Sequence, residues 1–130
     1  MPTVMQAKEL IDNSIDIFEG GLGYGTINSI LNSVSKEIQL RDYLIGLPMD
    51  HAIEKCSDFL SYLTTNLSAD ISYPLDTVNA MFQYEMGNTQ LCNDLLDKVD
   101  IANEEYSLAR LVRRAISAKW PASQFGEMRK

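Results

Sequence analysis

Arg110, Arg113 and Arg114, followed by Lys119, Arg129 and Lys130, form the one concentration of cationic side chains in this sequence. Arginine forks take carboxylates and phosphates through paired N–H donors, so a stripe at this spacing could dock an acidic protein or a nucleic-acid backbone. Trp120 stands beside the stripe, where an indole could act as the aromatic anchor of such a face. The stripe also has a plainer use. Cations toward the end of a helix complement its dipole by roughly a few tenths of a kcal/mol each, and they can pair with an acidic helix that precedes them. Trp120 has a plainer use too, as a lid over the core.

The remaining polar clusters point less clearly to chemistry. Gly20, Gly21, Gly23 and Gly25 invite comparison with a phosphate loop, but such a loop follows a strand and opens a helix, and here the cluster follows a helical pattern with no Gly-Lys-Ser/Thr after it. A turn between helices is the expectation. His51 is the sole histidine, which leaves no pair of imidazoles for a metal site or a relay. Five residues separate it from Cys56, so on a helix the two would point about 140 degrees apart. Asp94, Asp97 and Asp100 fall on one helical face, as do Asp12, Asp16 and Glu19, without the Glu-x-x-His partners of a carboxylate-bridged metal centre. They read as solvated faces, with a divalent cation or a basic partner surface as the alternative. No cofactor site, metal site or catalytic constellation is expected.

The charge is unevenly placed. Residues 1–109 hold five basic and seventeen acidic side chains, whereas residues 110–130 hold six basic and one. An acidic body disfavours nonspecific nucleic-acid binding, because phosphate contacts dominate such affinity. At 130 residues and 45% hydrophobic content, the chain is long and apolar enough to bury a core. No apolar run approaches the roughly 20 residues of a membrane span, and the N-terminus lacks the basic and apolar regions of a signal peptide. A cytoplasmic location follows as the expectation. Cys56 and Cys92 lie among apolar positions at helical spacing and read as small buried hydrophobes rather than a disulfide.

The elements that would carry these residues are helical throughout. Val4, Ala7, Ile11, Ser14, Ile15 and Phe18 define a first helix over 3–18. Thr26 reads as the N-cap of a second, with Ile27, Ile30, Leu31 and Val34 inward. A short third helix holds Leu40, Tyr43 and Leu44 and ends at Gly46 and Pro48. Asp50 reads as the N-cap of a helix whose face is Ile53, Cys56, Phe59, Leu60, Leu63 and Leu67. Residues 68–74 read as a loop, because a residue before proline prefers extended backbone, which puts Tyr73 outside any helix. The next helix then runs from Leu75 or Asp76 to Met86. Gly87 and Asn88 break it. Leu91, Cys92, Leu95, Leu96, Val99 and Ala102 trace the following helix, and Ser107 to about Ala118 the last, with the arginines opposite Leu108, Leu111, Val112, Ala115 and Ile116. No segment alternates like a strand. The fold class is all-α: one domain over 1–130, a compact bundle of about six helices, with 119–130 as a candidate flexible basic tail.

Two resemblances attach to these residues. From about Val78 to Leu111 the chain resembles a tetratricopeptide-type repeat: Tyr84-Glu85-Met86-Gly87-Asn88-Thr89-Gln90-Leu91-Cys92 is similar to the family's tyrosine, turn glycine, polar residue and small second-helix residue, with Leu96 and Val99 in its apolar positions. That implies a helical hairpin near the C-terminus. Val99 stands where alanine is usual, and Glu104 or a neighbour replaces the closing proline. No second copy occurs at a spacing of about 34 residues, so a solenoid is not expected. Over nearly its whole length the order Arg41-Asp42-Tyr43-Leu44, Tyr84 to Leu96, Tyr106-Ser107-Leu108-Ala109-Arg110-Leu111 and Pro121 resembles the C-terminal helical half of an actinobacterial family known as a domain of unknown function. This implies an actinobacterial or actinophage source, without that family's N-terminal half, and says nothing of mechanism. The expected function is a non-catalytic helical module that binds a protein partner or itself through its last three helices. The alternative is a nucleic-acid-associated regulator using the basic face.

Overall fold

The computed structural model describes residues 2–130, and every regular element among them is helical. Eight α-helices and two short 3-10 turns are present among the described residues, against the six or so helices expected. Beyond the helical segments traced by sequence stands the six-residue helix Gln124–Arg129. By its contacts the chain separates into two compact units, residues 1–65 and 66–130.

The first unit holds α1 (Val4–Ile17), α2 (Tyr24–Lys36), α3 (Ile38–Ile45) and α4 (Ile53–Thr64). Thr3 and Gln6 start α1 with a capping box: each side chain accepts the other's backbone N–H, at 3.1 and 2.9 Å, which satisfies two donors a helix start otherwise leaves orphaned. Ala7, Ile11 and Ile15 on α1, Ile30 and Val34 on α2, Leu40 and Leu44 on α3, and Phe59, Leu60 and Leu63 on α4 are buried together with Phe18. Each of these side chains larger than alanine contributes roughly 1.5–3 kcal/mol relative to exposure.

Two expected caps are displaced. Thr26 does not cap α2: the helix begins at Tyr24, with Gly23 as its N-cap, because the carbonyl of Gly23 already accepts the N–H of Ile27 at 3.1 Å. Asp50 does not cap α4, which starts at Ile53 after Ala52. Leu47, Pro48 and Met49 fold as a 3-10 turn that buries Leu47, and the N–H of Asp50 closes that turn onto the Leu47 carbonyl at 3.0 Å. Leu67, expected on the apolar face of α4, lies beyond its end.

The second unit holds α5 (Ala69–Glu85), α6 (Thr89–Asn103), α7 (Ser107–Ser117) and α8 (Gln124–Arg129). Residues 69–74, read above as loop, are the first turns of α5, and Tyr73 is inside it. Pro74 lacks the N–H that would bond the carbonyl of Asp70, but Asp70 is exposed to water. Every residue from Pro74 to Tyr84 is buried, so packing outweighs the local pre-proline preference. The buried polar groups of α5 find partners. Ser72 donates to Asp76 at 2.6 Å, Lys98 of α6 pairs with Asp76 at 3.2 Å, Thr77 donates to the Tyr73 carbonyl at 2.8 Å, and Asn88 donates to Gln83 at 2.9 Å.

Helices α5 and α6 are the most extensively packed pair. Between them Gly87 sits at φ 82°, a left-handed geometry that glycine adopts at little cost. The N–H groups of Gly87 and Asn88 return to the carbonyls of Tyr84 and Gln83 at 3.0 and 2.8 Å, the paired bonds of a Schellman ending. The segment 119–130, a candidate flexible tail by sequence, carries α8. Phe125 of α8 is buried against Tyr84 and Trp120, with ring centroids at 5.9 and 5.8 Å, and Arg129 grips Glu85 through both guanidinium nitrogens.

Candidate interaction site

Helix α7 is divided cleanly by its own sequence. Leu108, Ala109, Val112 and Ala115 are buried, while Arg110, Arg113, Arg114 and Ser117 recur at i, i+3, i+4 and i+7 on the opposite side. The turn before it is short. Tyr106 donates its N–H to the Asn103 carbonyl at 3.2 Å, and the Asn103 side chain accepts the N–H of Glu105 at 3.2 Å, so α7 returns beside the acidic face of α6.

Asp100, Glu104, Arg110, Arg113, Arg114 and Ser117 line an open cleft of about 420 Å³ there. The guanidinium of Arg113 donates to Asp97 at 2.9 Å and Asp100 at 2.6 Å. Burial alone would depress its pKa, but the hydrogen bonds and charges of the two aspartates outweigh that and hold it above the ordinary arginine value. Arg110 pairs with Glu105 at 2.9 Å, both well exposed, a geometry worth about 0–1 kcal/mol. Arg114 and Glu104 are also exposed, and neither has an ion-pair partner among the described residues. The cleft is thus built from cations and anions in near balance, a surface for charge-assisted hydrogen bonding.

Trp120, expected beside these arginines as an anchor, lies elsewhere. Its ring packs on Phe125, and its carbonyl accepts the hydroxyl of Tyr84. Lys119 takes φ 55° and ends α7, with the N–H groups of Lys119 and Trp120 bonded to the Ile116 and Ala115 carbonyls at 3.1 and 3.0 Å. Of the six cations in the basic stretch, three line the cleft; Arg129 is consumed by Glu85, and Lys130 pairs with Glu127 at 3.4 Å. Glu104 and Ser117 were not singled out by sequence. Their helical spacing from Asp100 and Arg110 was the available signal, and only the pairing of α6 with α7 gives it meaning.

Several of the other candidates are occupied with structural tasks. In the glycine segment, the N–H of Leu22 donates to the Tyr62 hydroxyl at 2.8 Å, and Phe18 packs on Phe59 and Tyr62 at 5.4 and 5.6 Å, which pins the turn to α4. Asp94 accepts from Gln90 at 2.8 Å, and Asp12 accepts the Tyr43 hydroxyl at 2.6 Å. Burial first, then that bond and the charges of Asp12 and Asp50, push the Tyr43 phenol up to about 12. Tyr43 also lines a 220 Å³ pocket with Asp42, Gly46, Leu47, Met49 and Asp50. Cys56 and Cys92 are free thiols, fully buried. Burial pushes the Cys92 thiol up to about 11, with the charge of Arg113 opposing, so it stays protonated near neutrality and is a poor nucleophile.

Among the described residues no group of three or more histidine, cysteine, aspartate or glutamate side chains is placed to hold a metal ion, and no helix is long and apolar enough to cross a membrane. Comparison of the chain with protein-family models, with curated proteins and with solved structures finds no match.

Proposed function

We propose that this chain is a non-catalytic helical interaction module, acting in the cytoplasm, whose contact face is the α6–α7 cleft with Arg110, Arg113 and Arg114. The observation that carries this reading is the charge balance of the cleft. Asp97, Asp100 and Glu105 already answer two of its three arginines, leaving Arg114 and Glu104 on the same surface without an ion pair among the described residues. A polypeptide presents both signs at short range and matches such a face. A nucleic-acid backbone presents only negative charge, and the aspartates beside Arg113 would repel it. The α5–α6 pair is a tetratricopeptide-like hairpin in this reading, supported by the left-handed Gly87 and the fully buried Cys92 at its small position.

The test is affinity capture with tagged wild-type chain beside Arg114→Glu. A protein partner retained by the first and lost by the second is the expected result. Capture that ignores the reversal removes the cleft from consideration, and capture of nucleic acid released by moderate salt installs the regulator reading in its place.

A further inference from the structure

Glu104, the C-cap of α6, and Arg114 of α7 line the same cleft, both exposed and neither in an ion pair among the described residues. Three residues before Glu104, and so its neighbour on the helix surface, stands Ile101, at 83% exposure the most exposed large apolar side chain among the described residues. From this juxtaposition we infer that the occupant of the cleft is a second copy of the chain, bound about a two-fold axis that passes between Glu104 and Arg114. The inference rests on the cleft being a contact face.

An isologous interface requires a patch that is its own complement, and a single unpaired anion with a single unpaired cation meets that requirement. Across the axis Glu104 takes Arg114 of the partner subunit and Arg114 takes Glu104 of the partner subunit, so one pair of residues supplies two ion pairs. Ile101, exposed beside Glu104, loses water at the edge of the same patch. A purely acidic partner would face Asp97, Asp100, Glu104 and Glu105 as well as the arginines, and a purely basic one would face all three arginines. The second copy avoids both conflicts, while Arg113 keeps its bonds to Asp97 and Asp100.

The test is sedimentation equilibrium of the full chain over a range of micromolar concentrations, on wild type, Glu104→Arg, Arg114→Glu and the double reversal. Both altered residues are exposed, and circular dichroism checks that each variant stays folded. Wild type is expected to approach twice the chain mass. Either single reversal places like charges together twice and weakens the dimer by at least about tenfold, and the double reversal restores it. A wild type that stays monomeric throughout, a dimer indifferent to the single reversals, or a double reversal that restores nothing overturns the inference. A monomeric wild type that still captures a different protein, and loses it with Arg114→Glu, defeats the dimer while leaving the contact face standing. Failure of both experiments defeats the contact face itself.

Discussion

Two arginines of the second unit grip carboxylates on a neighbouring helix, and they do so under opposite conditions. Arg129 of α8 holds Glu85 of α5 with two guanidinium nitrogens, both side chains 7% exposed and the ring of Phe82 lying 5.7 Å from the guanidinium carbon. Arg113 of α7 holds Asp97 and Asp100 of α6 with its own side chain 36% exposed and Asp97 72% exposed. Removing water makes an ion pair costly to form and costlier to break from one side. Leaving it in water makes the pair weak, screened by salt and open to exchange. The first arrangement therefore fastens a chain end, and the second leaves a surface that another molecule can compete for.

The sharpest way to test that contrast is to strand one charge. Arg129→Met leaves Glu85 buried without its partner and is expected to lower the unfolding free energy by about 3–5 kcal/mol, whereas Glu85→Leu combined with Arg129→Met costs less than the single change. Guanidinium chloride unfolding of the three proteins decides the matter, and a negligible loss in the single variant would mean that α8 is not fastened there. Tyr84→Phe removes the hydroxyl that meets the Trp120 carbonyl, and a loss of about 1–2 kcal/mol is expected by the same measurement.

Arg113→Ala, at the exposed end of the comparison, is expected to cost about 1 kcal/mol or less, with the difference from wild type shrinking as salt is added. The same change withdraws the positive charge that opposes the elevation of the Cys92 thiol, so its titration moves further up. For wild type the sign is fixed by the direction of that elevation. The unfolded chain releases the proton near 9.0 and the folded chain near 11, so the Cys92 contribution to stability is complete below the first value and is lost as pH rises through the second. Thiol titration and unfolding at alkaline pH follow both effects. Arg114→Ala, with no ion-pair partner among the described residues to lose, is expected to change stability by less than about 0.5 kcal/mol while weakening association. A larger loss would show that Arg114 is a structural residue, and the contrast between fastening and exchangeable arginines would narrow to Arg110 and Arg113.

Most helices could be read along the chain because their apolar side chains repeat every three or four residues: Ile11 with Ile15, Phe59 and Leu60 with Leu63, Cys92 with Leu96 and Val99. The start of α5 escaped because its apolar residues follow no stripe. Residues 69–73 are mostly exposed or half-buried and so show no apolar face, and Tyr73-Pro74 carried a local preference that the buried stretch 74–84 overrides. The caps at Thr26 and Asp50 escaped for a related reason. A short polar residue before an apolar run marks a helix start only when no neighbouring turn has already used its backbone, as the Leu47–Met49 turn uses that of Asp50.

The sequence by itself determined that the chain is helical, that Cys56 and Cys92 turn inward, and that Arg110, Arg113 and Arg114 share one face of one helix, because all three follow from spacing along the chain and the period of a helix. Only the tertiary structure decided which of those arginines are answered by carboxylates, that Trp120 leaves their company for Phe125, that Arg129 is spent on Glu85, and that Glu104 and Arg114 remain open in one cleft. Those outcomes depend on distances between residues far apart in sequence and on how much water reaches them, and neither quantity is encoded in any local pattern.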